Sequence, residues 1–172
     1  MSGAIDLAIS GSRFSAVAFS AIAGTALFAS ASAQTSDTFD VTANVVTGCV
    51  ITANDLDFGD YSAVAALPND ATATIQVNCS LGAVFDVALD AGSNGGDYTG
   101  RLMTNGTDDL TYNLYVDPLR LTVWGDDTGA TDDVTGVSFG LPINYTVYGR
   151  VAAGQNISTG AYTDTVTATI TF

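Results

Sequence analysis

The sequence contains no lysine, no histidine and no glutamate, so every acidic residue is an aspartate. Its 172 residues include 4 basic and 18 acidic side chains, which give a formal net charge of −14 at pH 7. Proteins that bind nucleic acid need a basic surface to meet the phosphates, so no nucleic-acid partner is expected. A strongly negative surface is suited to keeping an exported protein soluble.

The same absences argue against an enzyme. Without histidine, lysine or glutamate, general acid–base chemistry would rest on aspartate and tyrosine alone. The aspartate pairs at 108–109, 126–127 and 132–133 are adjacent, and adjacent side chains on extended backbone point apart. The sequence shows no nucleophile elbow, phosphate-binding loop or Cys/His metal cluster. We therefore expect no catalytic site, no bound metal and no cofactor.

One aspartate-rich stretch raises the question of calcium. Residues 125–133 read "GDDTGATDD", but they lack the EF-hand spacing and its bidentate glutamate. A solvated turn is the favoured interpretation, and the sequence leaves calcium binding by this loop open.

The first 33 residues have the pattern of a secretory signal peptide. Arg13 precedes an apolar run from Phe14 to Phe28, and the small residues Ala31-Ser32-Ala33 follow it. A membrane anchor is the alternative, but the apolar run is shorter than the ~20 residues that a spanning helix needs. We predict cleavage between Ala33 and Gln34, which leaves one domain in an exported chain.

The composition beyond residue 33 predicts an all-β domain. Good helix formers such as lysine and glutamate are missing, whereas threonine, valine, tyrosine, glycine, asparagine and aspartate supply strands and turns. Two glycine- and aspartate-rich stretches, 92–109 and 125–136, are predicted as turns and loops. The predicted strands lie at 38–46, 49–53, 56–61, 71–79, 83–92, 110–117, 120–124, 143–151 and 165–172. Strands at this spacing are typical of an immunoglobulin-like β-sandwich.

The first and last predicted strands each alternate apolar and polar residues, so each has one face suited to burial. The apolar residues are Phe39, Val41, Ala43 and Val45 in the first strand, and Val166, Ala168, Ile170 and Phe172 in the last. An unpaired strand edge is a template for another chain. We expect the first strand of one subunit to pair beside the last strand of the next; pairing within one closed molecule is the alternative.

Two cysteines remain after the predicted cleavage, Cys49 and Cys79. In an exported chain such a pair typically forms a disulfide. Closing a loop of about 30 residues stabilises the fold by roughly 3–4 kcal/mol on the chain-entropy model. A redox role would need a Cys-x-x-Cys spacing or a basic neighbour, and the sequence has neither.

A series of motifs across residues 48–172 carries a family resemblance. In order they are "GCVITA", "LDFGDY", "IQVNC", "GRLM", "LTYNLYVD", "VYGRV" and "GAYTDTVTATITF". This order resembles the spore-coat-protein-U-like domain, which is found in subunits of archaic chaperone–usher pili of Gram-negative bacteria. The segment from Trp124 to Leu141 is the least similar, and no role is transferred there.

The resemblance implies an incomplete immunoglobulin-like sandwich that lacks its last strand. Residues 34–46 would be a donor-strand extension, with Phe39, Val41, Ala43 and Val45 as its inserted side chains. Residues 47–172 would be the pilin domain, and Cys49 and Cys79 hold the family's disulfide positions. Val166, Ala168, Ile170 and Phe172 would border the acceptor groove.

The implied partners are neighbouring pilin subunits, a periplasmic chaperone and an outer-membrane usher. The implied location is the cell surface, reached through the periplasm, and the implied role is attachment and biofilm formation. A free-standing secreted spore-coat or surface-matrix protein with a closed sandwich is the alternative.

Overall fold

A computed structural model describes residues 33–172. The predicted signal peptide lies, except for Ala33, outside the described residues and stays a prediction. The described part contains ten strands: β1 (Cys49–Ala53), β2 (Asn69–Cys79), β3 (Val84–Leu89), β4 (Arg101–Thr104), β5 (Asp109–Tyr115), β6 (Val123–Trp124), β7 (Thr131–Asp132), β8 (Val134–Val137), β9 (Ile143–Val151) and β10 (Ala168–Thr171). In residues 33–172, no helix long and apolar enough to cross a membrane occurs.

The strands form two sheets. The larger sheet has the order β1-β2-β9-β5-β6-β7, with β4 also paired to β5, and the smaller sheet has the order β10-β3-β8. All pairs are antiparallel except β6 with β7. One buried core takes side chains from both sheets, including Val77 of β2, Phe85 and Val87 of β3, and Val151 of β9. The predicted all-β, immunoglobulin-like sandwich is confirmed.

Most predicted strands are present, and their apolar side chains alternate in sequence as a half-buried strand requires. In β3, Phe85, Val87 and Leu89 are buried as the alternation requires. In β5, Leu110 and Tyr112 face the core in the same way. Period-2 patterns of this kind are reliable because one face of each strand is covered by the opposite sheet.

Two predicted strands are not strands in the structure. Residues 33–47 contain no strand, because a strand needs a neighbouring strand for its backbone hydrogen bonds and these residues have none within the described part of the chain. Residues 56–61 also form no ladder. There, Asn69 Nδ2 donates hydrogen bonds of 2.8 Å to the Phe58 carbonyl and 3.2 Å to the Asp60 carbonyl, so a side chain takes the place of a neighbouring strand.

Three strands, β4, β7 and β8, fall in stretches that the sequence predicts as turns and loops. β4 forms a hairpin with β5, in which Thr104 pairs with Asp109. The intervening turn holds Gly106 at a φ of 88°, which glycine adopts without strain. In β8, a side chain at Gly136 would lie 2.6 Å from the Phe85 ring, so this strand packs closely only with glycine there.

The predicted disulfide is confirmed. Cys49 and Cys79 are bonded, and they face each other in the register of β1 and β2. The bridge therefore fastens the start of β1 to the end of β2. This position matters because β1 is the edge strand of the larger sheet.

Candidate functional site

The candidate site lies between two unpaired strand edges. Among the described residues, β1 pairs only with β2, and β10 pairs only with β3. Each of these two strands therefore presents one backbone edge without a neighbour. Such an edge is a template for an additional strand.

An open groove runs between these edges and reaches the core. Two adjoining cavities of about 600 and 630 Å³ form it. Both are lined by Leu56, Phe58, Met103 and Tyr162. The floor consists of core side chains from both sheets: Ile75, Leu89, Leu110, Tyr112, Leu114, Val147 and Val151. The groove thus reaches the core side chains of both sheets, which are themselves at most 6% exposed.

The first wall of the groove is the segment that follows β1. Leu56 and Phe58 turn inward and lie over Gly149 of β9, where a Cβ would stand 2.8 Å from the Phe58 ring. The ring of Phe58 also meets Tyr112 edge-on, with centroids 5.9 Å apart. Gly149 therefore makes room for the wall, because any larger residue would push these side chains outward.

The second wall is the C-terminal segment. Val166 and Ala168 line the groove, Ile170 packs against the core, and the alternating threonines are exposed, as the sequence pattern predicts. Phe172 differs, because its side chain is 58% exposed and lies outside both cavities. The regular strand is also shorter than predicted, since β10 begins at Ala168.

A buried tyrosine holds the second wall in place. The Tyr112 hydroxyl donates a 2.6 Å hydrogen bond to Asp164 Oδ2. The other carboxylate oxygen, Asp164 Oδ1, accepts hydrogen bonds from the Ser93 amide at 2.9 Å and from Asn94 Nδ2 at 3.0 Å. Burial, with the neighbouring Asp164 carboxylate, raises the pKa of Tyr112 well above its usual value, so the hydroxyl remains a donor at neutral pH.

A second aspartate fixes the beginning of β10. Asp90 Oδ1 accepts hydrogen bonds from the backbone amides of Thr167 at 2.9 Å and Gly92 at 3.0 Å. Burial by itself raises the pKa of Asp90, but these bonds outweigh it and lower the pKa below its usual value. The beginning of β10 is therefore held by the ionised carboxylate of Asp90.

The predicted donor residues are exposed in the structure. Phe39, Val41 and Val45 are 85%, 84% and 91% exposed, and Ala43 is also exposed. Large apolar side chains in such a state are rare in a soluble monomer unless they bind something. Their assignment as donors, and that of Val166, Ala168, Ile170 and Phe172 as acceptors, stays a prediction.

Several groove residues were not identified from the sequence. Met103 belongs to β4, which lies inside a predicted loop, although the Asn105-Gly106 turn between two apolar runs is a hairpin signal. Tyr112 lies in a predicted strand, but its bond to a residue 52 positions away has no local sequence signal. Only the folded structure, in which both walls are present, shows that these residues line the groove.

The aspartate-rich loop forms hydrogen bonds within itself. The Thr128 amide donates to Asp126 Oδ1 at 3.2 Å, as in an ordinary Asx turn. Within residues 33–172, no group of three or more acidic or cysteine side chains is arranged to hold a metal ion.

Comparison with known proteins agrees with this architecture. The model of the family described as the Spore Coat Protein U domain matches residues 35–169. The chain belongs to this family. Among curated proteins, Protein U of Myxococcus xanthus is 39% identical over 132 residues, which cover 68% of this chain and 71% of Protein U.

A solved structure shares the spore coat protein U fold. It is a chain of the CsuC–CsuE chaperone–tip adhesion subunit pre-assembly complex from the archaic chaperone–usher Csu pili of Acinetobacter baumannii. The TM-score is 0.56 at 23% identity, over 74% of this chain and 40% of the solved one. This chain therefore spans less than half of the length of that relative, and the likeness concerns the fold.

Proposed function

We propose that this protein is an exported structural subunit of a chaperone–usher pilus that polymerises by strand donation. The arm, defined as residues 34–46, leaves one copy and fills the groove of the next. One observation carries the proposal: a groove with an apolar floor lies open between two unpaired strand edges in a chain that also has an exposed amphipathic segment. Strand addition to an open edge is an established mode of recognition, and pilin subunits are a general example of it.

The chemistry of the arm fits that of the groove. Phe39, Val41, Ala43 and Val45 present apolar side chains on one face, and the groove floor is apolar. Burying these four side chains contributes on the order of 5–9 kcal/mol of transfer free energy. Ordering the arm costs about 1–2 kcal/mol per residue, which offsets much of this gain and that of the new backbone hydrogen bonds.

The expected partners follow from the open groove. An exported subunit with an open groove and unpaired strand edges needs temporary cover, which a periplasmic chaperone supplies and an outer-membrane usher exchanges for the next subunit's arm. The fold shared with a chain of a chaperone–subunit pre-assembly complex supports this expectation. The resulting fibre serves surface attachment and biofilm formation, and neither catalysis nor a cofactor has a part in it.

The experiment that tests the proposal compares two single substitutions in the arm. Phe39→Asp places a charge on the inserted face, whereas Thr42→Asp places the same charge on the outer face. We expect Phe39→Asp to abolish polymer formation in cells that express the chaperone and usher, and Thr42→Asp to leave polymer visible by electron microscopy. Normal fibres from Phe39→Asp would contradict the proposed donor face.

A free-standing coat or matrix protein is the second candidate, because the curated relative is Protein U and the family is described by a spore-coat name. Expression of the exported chain without a chaperone discriminates between the two. A soluble and stable monomer would favour the coat protein, whereas degradation or aggregation that a chaperone prevents would favour the pilus subunit.

A further inference from the structure

A patch of exposed apolar side chains lies at the end of the domain from which the arm emerges. We call it the apolar end and define it as Leu81, Val84, Val137, Phe139 and Leu141, which are between 47% and 77% exposed. Contiguous exposed apolar surface on a soluble protein marks an interaction site more often than single exposed residues do.

Hydrogen bonds join the base of the arm to this patch. The Gly48 amide donates to Ser80 Oγ at 3.1 Å, and the Ser80 amide donates to the Gly48 carbonyl at 2.9 Å. Leu81 follows Ser80 directly, and a Cβ on Gly140 would stand 3.7 Å from Leu81 Cβ. Phe139 therefore lies within the loop that packs beside the anchored base of the arm.

The short chain between Val45 and Gly48 requires the neighbouring copy to lie near the apolar end. Val45 is the last predicted donor residue, and Gly48 is already fixed to Ser80. Three residues span at most about 10 Å of extended chain. A neighbour that holds Val45 in its groove must therefore lie close to the apolar end.

The distribution of charge supports a contact between like copies. The three chain segments that run to this end, 43–54, 71–85 and 134–149, contain no charged residue. The whole chain carries 18 acidic side chains and a net charge of −14, so two copies repel each other over most of their surfaces. An uncharged apolar end is where two copies approach at the lowest electrostatic cost.

We infer that the apolar end is a second contact between successive copies, made against the body of the neighbour whose groove holds the arm. This inference rests on the proposed function and adds to it. The arm links the copies, and the apolar end limits how far one body swings relative to the next. Its occupant is a second copy of this chain.

Site-specific photo-crosslinking of assembled full-length protein tests the inference. Phe139→p-benzoylphenylalanine places the probe at the apolar end, and Leu121→p-benzoylphenylalanine is the matched control, because Leu121 is 78% exposed and lies beside the charged Asp117 loop. In fibres, we expect cross-linked dimers from the probe at position 139 and none from the probe at position 121. We also expect loss of the position-139 dimers when residues 34–46 are deleted.

The outcomes separate this inference from the proposed function. Fibres that form but give no position-139 dimers, or equal dimers from both positions, would overturn the inference and leave strand donation intact. Cross-links from position 139 to the chaperone alone, or dimers that persist without the arm, would overturn it too. If the unmodified chain forms no polymer with its chaperone and usher, the proposed function fails and the inference fails with it.

Discussion

The buried guanidinium of Arg101 donates a 2.7 Å hydrogen bond to Asn113 Oδ1. Arg101 is fully inaccessible to solvent and also donates to the backbone carbonyls of Asp90 and Trp124 at 2.7 Å. Burial lowers the pKa of this guanidinium below its usual value, but the group stays charged and is held by backbone and amide oxygens. Because Asp90 in turn bonds Thr167, Arg101 helps to position the second groove wall.

Replacing Arg101 is therefore expected to lower the free energy of unfolding more than replacing an exposed arginine does. Arg101→Met leaves buried acceptors on Asp90, Asn113 and Trp124 without their donor, and we expect unfolding free energy to fall by roughly 3 kcal/mol or more. Arg150→Met is the control, because Arg150 pairs with Asp70 at the surface, where a salt bridge contributes about 1 kcal/mol or less. Urea unfolding of both variants measures the difference. Equal losses would show that the buried network has no special role.

The hydrogen bond from Tyr112 to Asp164 is expected to stabilise the groove wall. Tyr112→Phe removes only the hydroxyl and leaves a buried carboxylate oxygen without a donor, so we expect a loss of about 1–3 kcal/mol in unfolding free energy. Tyr148→Phe is the control, because the Tyr148 hydroxyl makes no hydrogen bond in the described part of the chain. Chemical denaturation checks both variants, and a Tyr112→Phe protein as stable as the wild type would contradict this role.

The disulfide between Cys49 and Cys79 is expected to hold the first edge of the groove. Replacing both cysteines by serine restores the freedom of a loop of about 30 residues in the unfolded chain and should cost roughly 3–4 kcal/mol. Because the bridge fastens β1 to β2, hydrogen exchange in β1 should also accelerate more than in β9. Uniform acceleration in both strands would contradict a local role for the bridge.

Acid is expected to weaken the hold on β10 through Asp90. Its pKa is lowered in the folded protein by the amides of Thr167 and Gly92, which outweigh the effect of burial. The contribution of ionised Asp90 to the free energy of unfolding is present above the unfolded pKa of about 3.9. It is lost as the pH falls through the lower pKa of the folded protein. Hydrogen bonds lower the pKa in the same direction at other carboxylates: Asp70, Asp97, Asp108, Asp117 and Asp126.

The variant Asp90→Asn isolates this contribution, because asparagine retains an acceptor oxygen for Thr167 but does not titrate. We expect the decrease in unfolding free energy below about pH 4 to be shallower in Asp90→Asn than in the wild type. Superimposable pH profiles from denaturant titrations would show that Asp90 makes no such contribution.

The sequence predicted those features of the fold that depend on local pattern. Strands β2, β3, β5 and β9 carry a period-2 alternation, which indicates where each strand lies and that one of its faces is buried. The groove required more, because its walls depend on contacts between distant segments. Phe58 lies over Gly149, and Tyr112 donates a hydrogen bond to Asp164. No local sequence pattern predicts either contact.

The burial of Arg101 shows the same limit. Its position in a glycine-rich stretch indicated a solvated loop, but the partners that make burial possible are backbone carbonyls at Asp90 and Trp124. Carbonyl oxygens are present in every sequence, so only the fold shows which of them converge on one side chain.

Hydrogen exchange in the arm tests strand donation most directly. The backbone amides of residues 39–45 are to be compared between the chaperone-bound monomer and the assembled fibre by mass spectrometry. The account predicts rapid exchange in the monomer and exchange slowed by orders of magnitude in the fibre, because the arm gains a hydrogen-bonded neighbour only from another copy. Protection of these amides in the chaperone-bound monomer, or rapid exchange in both states, would contradict it.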